Sequence, residues 1–233
     1  MNCLNTCKSV LILTTIFFMT EQALGQDWAG LNRYKEENRI LASKENNGKR
    51  VVFIGNSITE GWTGQNPAMF SDAYINRGIG SQTTPQILFR FQQDVVDLKP
   101  MAVVILAGTN DIAENSGPIT LDEIMANIKA MAELAKKNDI AVVLCSVLPA
   151  YDYYWRPGLH PDKKIPELNK MLKAYAGEAG LIYVDYFSAM ADERNGLPKK
   201  YAEDGVHPTK EGYKVMETLV EQAIQKAFRQ NKM

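Results

Sequence analysis

The chain has two histidines, and one of them, His207, closes the segment Asp204-Gly205-Val206-His207. An aspartate three residues before a histidine can reach the imidazole, fix its tautomer and stabilise its protonated form. An imidazole held this way is a base for a weak nucleophile. Ser57 is placed to need one: Val51-Val52-Phe53-Ile54-Gly55-Asn56-Ser57 runs an apolar stretch into a turn. A third segment, Gly108-Thr109-Asn110-Asp111, again follows an apolar run, residues 103–106. A side-chain amide such as that of Asn110 can donate to an oxygen that becomes negative when a carbonyl is attacked. The chemistry these types suit is acyl transfer, with Ser57 as nucleophile, His207 as base and then acid, and Asp204 orienting the ring.

Each residue has a plainer reading. A serine after a strand is often only a helix cap, and the presence of three companion motifs selects the nucleophile reading for Ser57. Asn110 is read as a donor, whereas Asp111 is read as a cap residue of the segment after its strand. The other histidine, His160, lies in Tyr151-Asp152-Tyr153-Tyr154-Trp155-Arg156-Pro157-Gly158-Leu159-His160-Pro161 and lacks the Asp-x-x-His arrangement. That segment reads as a loop over the sheet edge, its aromatics either packing residues or a platform for a sugar ring. No His-Glu-x-x-His, paired cysteines or clustered carboxylates suggest a metal, and Gly78-Ile79-Gly80 lacks the third glycine of a dinucleotide loop.

Strands and helices must hold these motifs together. Runs at 51–54, 102–106, 140–144 and 181–184 are rich in β-branched residues, as in strands covered on both faces. Residues 74–76 form a short further strand. Between them, a helix starts at Thr84-Pro85, with Thr84 as N-cap, and aligns Ile87, Leu88, Phe91, Val95 and Leu98. Thr120-Leu121-Asp122-Glu123 fits a capping box for a helix that buries Ile124, Ile128, Met131 and Leu134. A last helix carries Val215, Met216, Leu219, Val220, Ala223, Ile224 and Phe228. Strand alternating with helix implies a parallel α/β sheet with helices on both sides, whose ligands bind beyond the carboxyl ends of the strands. Ser57 and Asn110 both fall there.

With 233 residues, 45% hydrophobic and 23% charged, the chain has the composition of one globular domain. A net charge of −1 gives no electrostatic reason to expect nucleic acid as a partner. The N-terminus stands apart. Lys8, an apolar run over 10–19 and Ala23-Leu24-Gly25 before Gln26 fit a cleaved secretory signal, residues 1–25, with the domain at 26–233. The run is shorter than the about 20 apolar residues of a membrane span. Cleavage leaves Cys145 as the lone cysteine, read as a buried small hydrophobe.

Gly55-Asn56-Ser57 with Gly61, Asn76-Arg77-Gly78-Ile79-Gly80-Ser81, Gly108-Thr109-Asn110-Asp111 and Asp204-Gly205-Val206-His207-Pro208 resemble the four ordered blocks of the SGNH hydrolases, or GDSL-type esterases. The second block is most similar to the platelet-activating-factor acetylhydrolase-like branch. The resemblance implies a three-layer α/β/α sandwich around a five-stranded, flavodoxin-like parallel sheet. It also implies no metal or other cofactor, and hydrolysis of esters or thioesters through an acyl-enzyme. Its oxyanion hole maps onto the Ser57 N–H, the Asn110 amide and a backbone N–H of Ser81, with Gly80 as the alternative.

Two departures stand out. Asn56 replaces the usual aspartate before the nucleophile, which should alter the bonding of the turn without abolishing the chemistry. Ser81 stands where the family places glycine, and a serine N–H serves equally if the loop tolerates a β-carbon. The expected protein is an exported, periplasmic or extracellular serine esterase acting on a small-molecule or glycan ester, acetyl above all, with no membrane span after signal cleavage. A lysophospholipase or thioesterase with the same residues is a second reading. An inactive carbohydrate-binding protein on the same fold is a third, and keeping the whole residue set argues against it.

Overall fold

The computed structural model describes residues 27–230 other than positions 47 and 72, so the expected signal lies outside the described residues. Five strands, β1 (Val51–Gly55), β2 (Tyr74–Gly78), β3 (Ala102–Leu106), β4 (Ala141–Cys145) and β5 (Ile182–Val184), form one parallel sheet in the order β2-β1-β3-β4-β5. This is the expected flavodoxin-like arrangement. The chain steps outward from β1 to β2 and then returns to place β3 on the other side of β1. A crevice opens where the order reverses, at the carboxyl ends of β1 and β3.

Eight helices accompany the sheet among the described residues: α1 (Lys35–Ser43), α2 (Ser57–Gln65), α3 (Thr84–Asp94), α4 (Thr109–Ile112), α5 (Leu121–Lys137), α6 (Pro161–Ala179), α7 (Tyr186–Met190) and α8 (Lys210–Gln230). Alternate strand residues face opposite layers. Val52, Ile54, Val103, Ile105 and Leu144 pack with Ile87 and Phe91 of α3, Ile124 and Ile128 of α5, and Leu168 and Leu172 of α6. Val51, Phe53, Val104 and Val143 pack with Trp62 of α2 and Met216, Val220 and Ile224 of α8. Both strand faces are therefore dry, which is why the strands read as unbroken apolar runs. Cys145 is buried in the second of these layers.

Some boundaries differ from expectation. The N-cap of α3 is Thr83, whose N–H donates to Gln86 Oε1 at 3.0 Å, so Thr84 is the first helical residue. Thr120 does cap α5, exchanging bonds with Glu123. Helix α6 was not among the expected elements, although it spans 19 residues and contains two prolines, Pro161 and Pro166. Pro161 sits in the first turn, where proline is tolerated. Pro166 has no N–H for the carbonyl of Asp162, and Asn195 Nδ2 donates to that carbonyl instead at 3.0 Å.

Candidate active site

Ser57 opens α2 immediately after β1. The turn is too tight for a side chain at Gly55: a Cβ there would lie 2.3 Å from Thr59 Oγ1 and 2.4 Å from the Leu106 carbonyl. Asn56 is the N-cap, its Oδ1 accepting from the Ile58 N–H at 3.1 Å. An asparagine supplies the same acceptor oxygen as the aspartate usual at this place, so the turn survives the exchange. Tyr213 of α8 donates to the Ile58 carbonyl at 2.7 Å and ties the nucleophile helix to the layer beneath.

The three expected residues meet. Ser57 Oγ lies 3.0 Å from His207 Nε2, and His207 Nδ1 lies 2.7 Å from Asp204 Oδ2. Asp204 Oδ1 accepts from the N–H groups of Val206 and His207 at 2.9 and 2.8 Å, so the carboxylate shapes the turn that carries the histidine. Partial burial pushes the Asp204 carboxyl up, but the bonds from the His207 ring and backbone and from Val206 outweigh it and hold it below its ordinary value. An ionised carboxylate can only accept, so the ring proton belongs on Nδ1 and the Nε2 lone pair faces the serine hydroxyl. His160, by contrast, is exposed at the N-cap of α6, 3.9 Å from Asp162 and apart from Ser57.

Donors gather on the other side of Ser57. Its own N–H is the first of α2 and has no helical partner by position. The Ser81 N–H has no partner among the described residues, whereas the Gly80 N–H donates to Glu60 Oε2 at 2.9 Å. Ser81 thus offers the free backbone donor. Its φ of +63° is the left-handed conformation that glycine adopts without strain. Asn110 Nδ2 gives one hydrogen to the Gln82 carbonyl at 3.0 Å, which leaves the second for a ligand. Asp111, expected to cap its own segment, lies inside α4, whose N-cap is Gly108, and serves a different helix: both its oxygens accept from the Thr84 N–H, at 2.9 and 3.0 Å, at the start of α3.

Several supporting residues escaped sequence reasoning. Arg90, fully buried, donates to Gln82 Oε1 at 2.6 Å, to Asp94 Oδ2 at 2.8 Å and to the Gly55 carbonyl at 2.9 Å. One guanidinium therefore joins the serine turn to the donor loop. The available signal was an Arg90–Asp94 pair, four residues apart, on the apolar face of α3. An N-terminal arm braces the same loop. Gln82 Nε2 donates to the Ala29 carbonyl at 2.7 Å, Tyr34 donates to the Gly78 carbonyl, and Arg33 pairs with Glu60 at 3.3 Å. No sequence signal marks that arm.

These groups line a cavity of about 550 Å³ reached by Ser57, Ser81, Asn110 and His207. Its remaining lining is polar or aromatic, and among the described residues no aliphatic side chain contributes to it. The segment after β4 is a loop, as expected, but it lies over the carboxyl end of the sheet, where Tyr154 and Trp155 wall the cavity. Its aromatics divide: Tyr153 is a packing residue, wholly buried, with its hydroxyl 2.9 Å from Thr109 Oγ1. A base, an acceptor for its second nitrogen and convergent donors about one serine make up an arrangement able to cleave an acyl bond.

The family model for GDSL-like lipases and acylhydrolases matches residues 53–215. Among solved structures, a GDSL-like lipase from Bacteroides thetaiotaomicron is 48% identical with a TM-score of 0.83, covering 86% of this chain and 99% of that one. Among curated proteins, an acetylxylan esterase of Xylanibacter ruminicola is 27% identical over 213 residues, 75% of this chain but 43% of that protein. This chain therefore spans less than half the length of that relative. An acetylxylan esterase of Geobacillus stearothermophilus is 22% identical over 208 residues, 74% of this chain and 92% of that protein.

Proposed function

The chain belongs to the GDSL-like lipase/acylhydrolase family and is an ester hydrolase; from that premise, we propose that it is an exported serine esterase that removes acetyl and other small acyl groups from carbohydrate hydroxyls. The observation that carries the acyl size is the cavity around Ser57, whose lining among the described residues has no aliphatic side chain to cover a long acyl chain. Two relatives named as acetylxylan esterases support the same reading.

In the proposed mechanism, Ser57 Oγ attacks the ester carbonyl carbon as its proton passes to His207 Nε2. The carbonyl oxygen becomes an oxyanion held by the N–H groups of Ser57 and Ser81 and the Asn110 amide, each worth about 2.7–4 kcal/mol in the transition state. The carbon–oxygen bond to the alcohol then breaks, and His207 gives its proton to the departing oxygen. Water attacks the acyl-serine, its proton going to His207 and then back to Ser57 Oγ as the acid leaves. Asp204 remains ionised and stabilises the imidazolium in both halves.

Assaying p-nitrophenyl esters of increasing chain length beside acetylated xylan, acetylated pectin and O-acetylated sialic acid tests the reading. Acetate should be the best acyl group, with kcat/KM falling steeply as the chain grows. A preference for long acyl chains or for lysophospholipids would overturn it in favour of a lipid-directed hydrolase. Export rests on the signal-like residues 1–25, and among the described residues no helix is long and apolar enough to cross a membrane.

A further inference from the structure

We infer that Trp155 is the floor of a subsite for the alcohol half of the ester, and that this subsite takes a pyranose ring laid against the indole. The inference rests on the esterase reading above and adds the side of the scissile bond on which the sugar sits. His207 must protonate the departing alcohol oxygen, so that oxygen comes within hydrogen-bond reach of Nε2. The Trp155 ring lies 6.5 Å from the His207 ring, the two planes inclined by 33°. The group attached to the departing oxygen is therefore brought over the indole, while the carbonyl oxygen faces Ser81 and Asn110.

The indole is fixed before any ligand arrives. Trp155 Nε1 donates to Asn115 Oδ1 at 3.1 Å, and the buried Tyr153 ring lies beneath it at 5.0 Å. Tyr154 meets it edge-on at 4.9 Å. The next residue, Arg156, clasps the loop to the Glu114 carbonyl at 2.6 Å. Held in this way, Trp155 still keeps 37% of its surface exposed, and it lines the cavity beside the amides of Gln86 and Asn115 and the hydroxyl of Ser116. A rigid flat apolar face bordered by amides and a hydroxyl matches a pyranose, which offers C–H groups on its face and hydroxyls at its rim. A fatty alcohol or the glycerol of a phospholipid has no ring to lay against the indole.

The test compares kcat/KM of the full protein on a mono-O-acetylated xylopyranoside with that on ethyl acetate, whose alcohol has no ring. Trp155→Ala should lower the ratio of sugar ester to ethyl acetate by about tenfold, the upper range for one aromatic ring contact. The loss should fall on KM, since the stacked ring is bound equally in ground and transition states. Trp155→Phe keeps an aromatic face and should lose less than about threefold. A ratio unchanged in Trp155→Ala overturns the assignment. Should that variant fail to fold, wild-type protein decides: xylobiose should inhibit ethyl acetate hydrolysis competitively, and no inhibition at any soluble concentration overturns the subsite. Cleavage of ethyl acetate with neither effect leaves the esterase reading standing without the subsite, whereas cleavage of neither ester overturns both.

Discussion

The carboxylate of Glu60 takes the Gly80 N–H at 2.9 Å, and this one bond leaves Ser81 as the free backbone donor beside Ser57. Glu60 lies one turn along α2 from the nucleophile, so the helix that presents Ser57 also sets the donor loop. The two elements are pressed together here: a Cβ on Gly78 would lie 2.1 Å from the Glu60 N. Glu60→Ala should release the loop and lower kcat by about tenfold with KM little changed, because the donors act on charge present mainly in the transition state. Glu60→Gln, which keeps an acceptor, should recover most of that loss. Arg33→Ala should do far less, since the Arg33–Glu60 pair is half exposed. Steady-state kinetics on p-nitrophenyl acetate decide, and an unchanged kcat in Glu60→Ala would disconnect Gly80 from the site.

The backbone identity of the Ser81 donor leads to an expectation opposite to that for Asn110. Ser81→Gly keeps the N–H and suits the positive φ of +63°, so activity should be retained and stability should hold or rise. Asn110→Ala removes a side-chain donor and should lower kcat by about 10²–10³ with a small change in KM. A Ser81→Gly enzyme as damaged as Asn110→Ala would mean that the serine hydroxyl, not its N–H, does the work.

Ser57→Ala and His207→Ala should each abolish measurable turnover, and the double variant should lose little more than either alone, because residues acting as one unit are not additive. Asp204→Ala should be intermediate, since the aspartate orients the ring without exchanging a proton. A fluorophosphonate should label Ser57 alone. Two independent losses that multiply in the double variant would separate Ser57 from His207 and bring His160 forward as the base.

Burial pushes the Asp111 carboxyl above its ordinary value of 3.8, against the bonds from Thr84 that favour ionisation. A raised folded pKa means that the folded state holds the proton more tightly than the unfolded chain. This contribution to stability is present below pH 3.8 and is lost as pH rises through the folded value. Asp111→Asn keeps an acceptor for Thr84 without the charge, so its stability relative to wild type should rise as pH increases through that window. Asp111→Ala removes the acceptor and should cost about 1 kcal/mol or more at all pH values. Urea unfolding of the three proteins across acid and neutral pH measures both effects, and parallel curves for wild type and Asp111→Asn would refute the linkage.

Expression in a host that exports the chain should yield protein beginning at Gln26, as Ala23-Leu24-Gly25 suggests. Intact-mass measurement checks this directly. Full-length chain recovered with the membrane fraction would make residues 1–25 an anchor instead.

The strands at residues 51–55 and 102–106 were legible in the sequence because each is buried on both faces and so reads as an unbroken apolar run. The meeting of Ser57, Asp204 and His207 was legible as well, since strand ends in a parallel α/β sheet converge and a histidine three residues after an aspartate finds it within one turn. Only the tertiary structure showed that the Gly80 N–H is taken, because its acceptor is a carboxylate from another segment, Glu60. It also sent Asp111 to α3 rather than to its own segment, and set one buried guanidinium, Arg90, to join the serine turn to the donor loop. Local sequence encodes periodicity and caps, which depend on neighbours along the chain. A bond between residues brought together by packing depends on distances that no stretch of sequence contains.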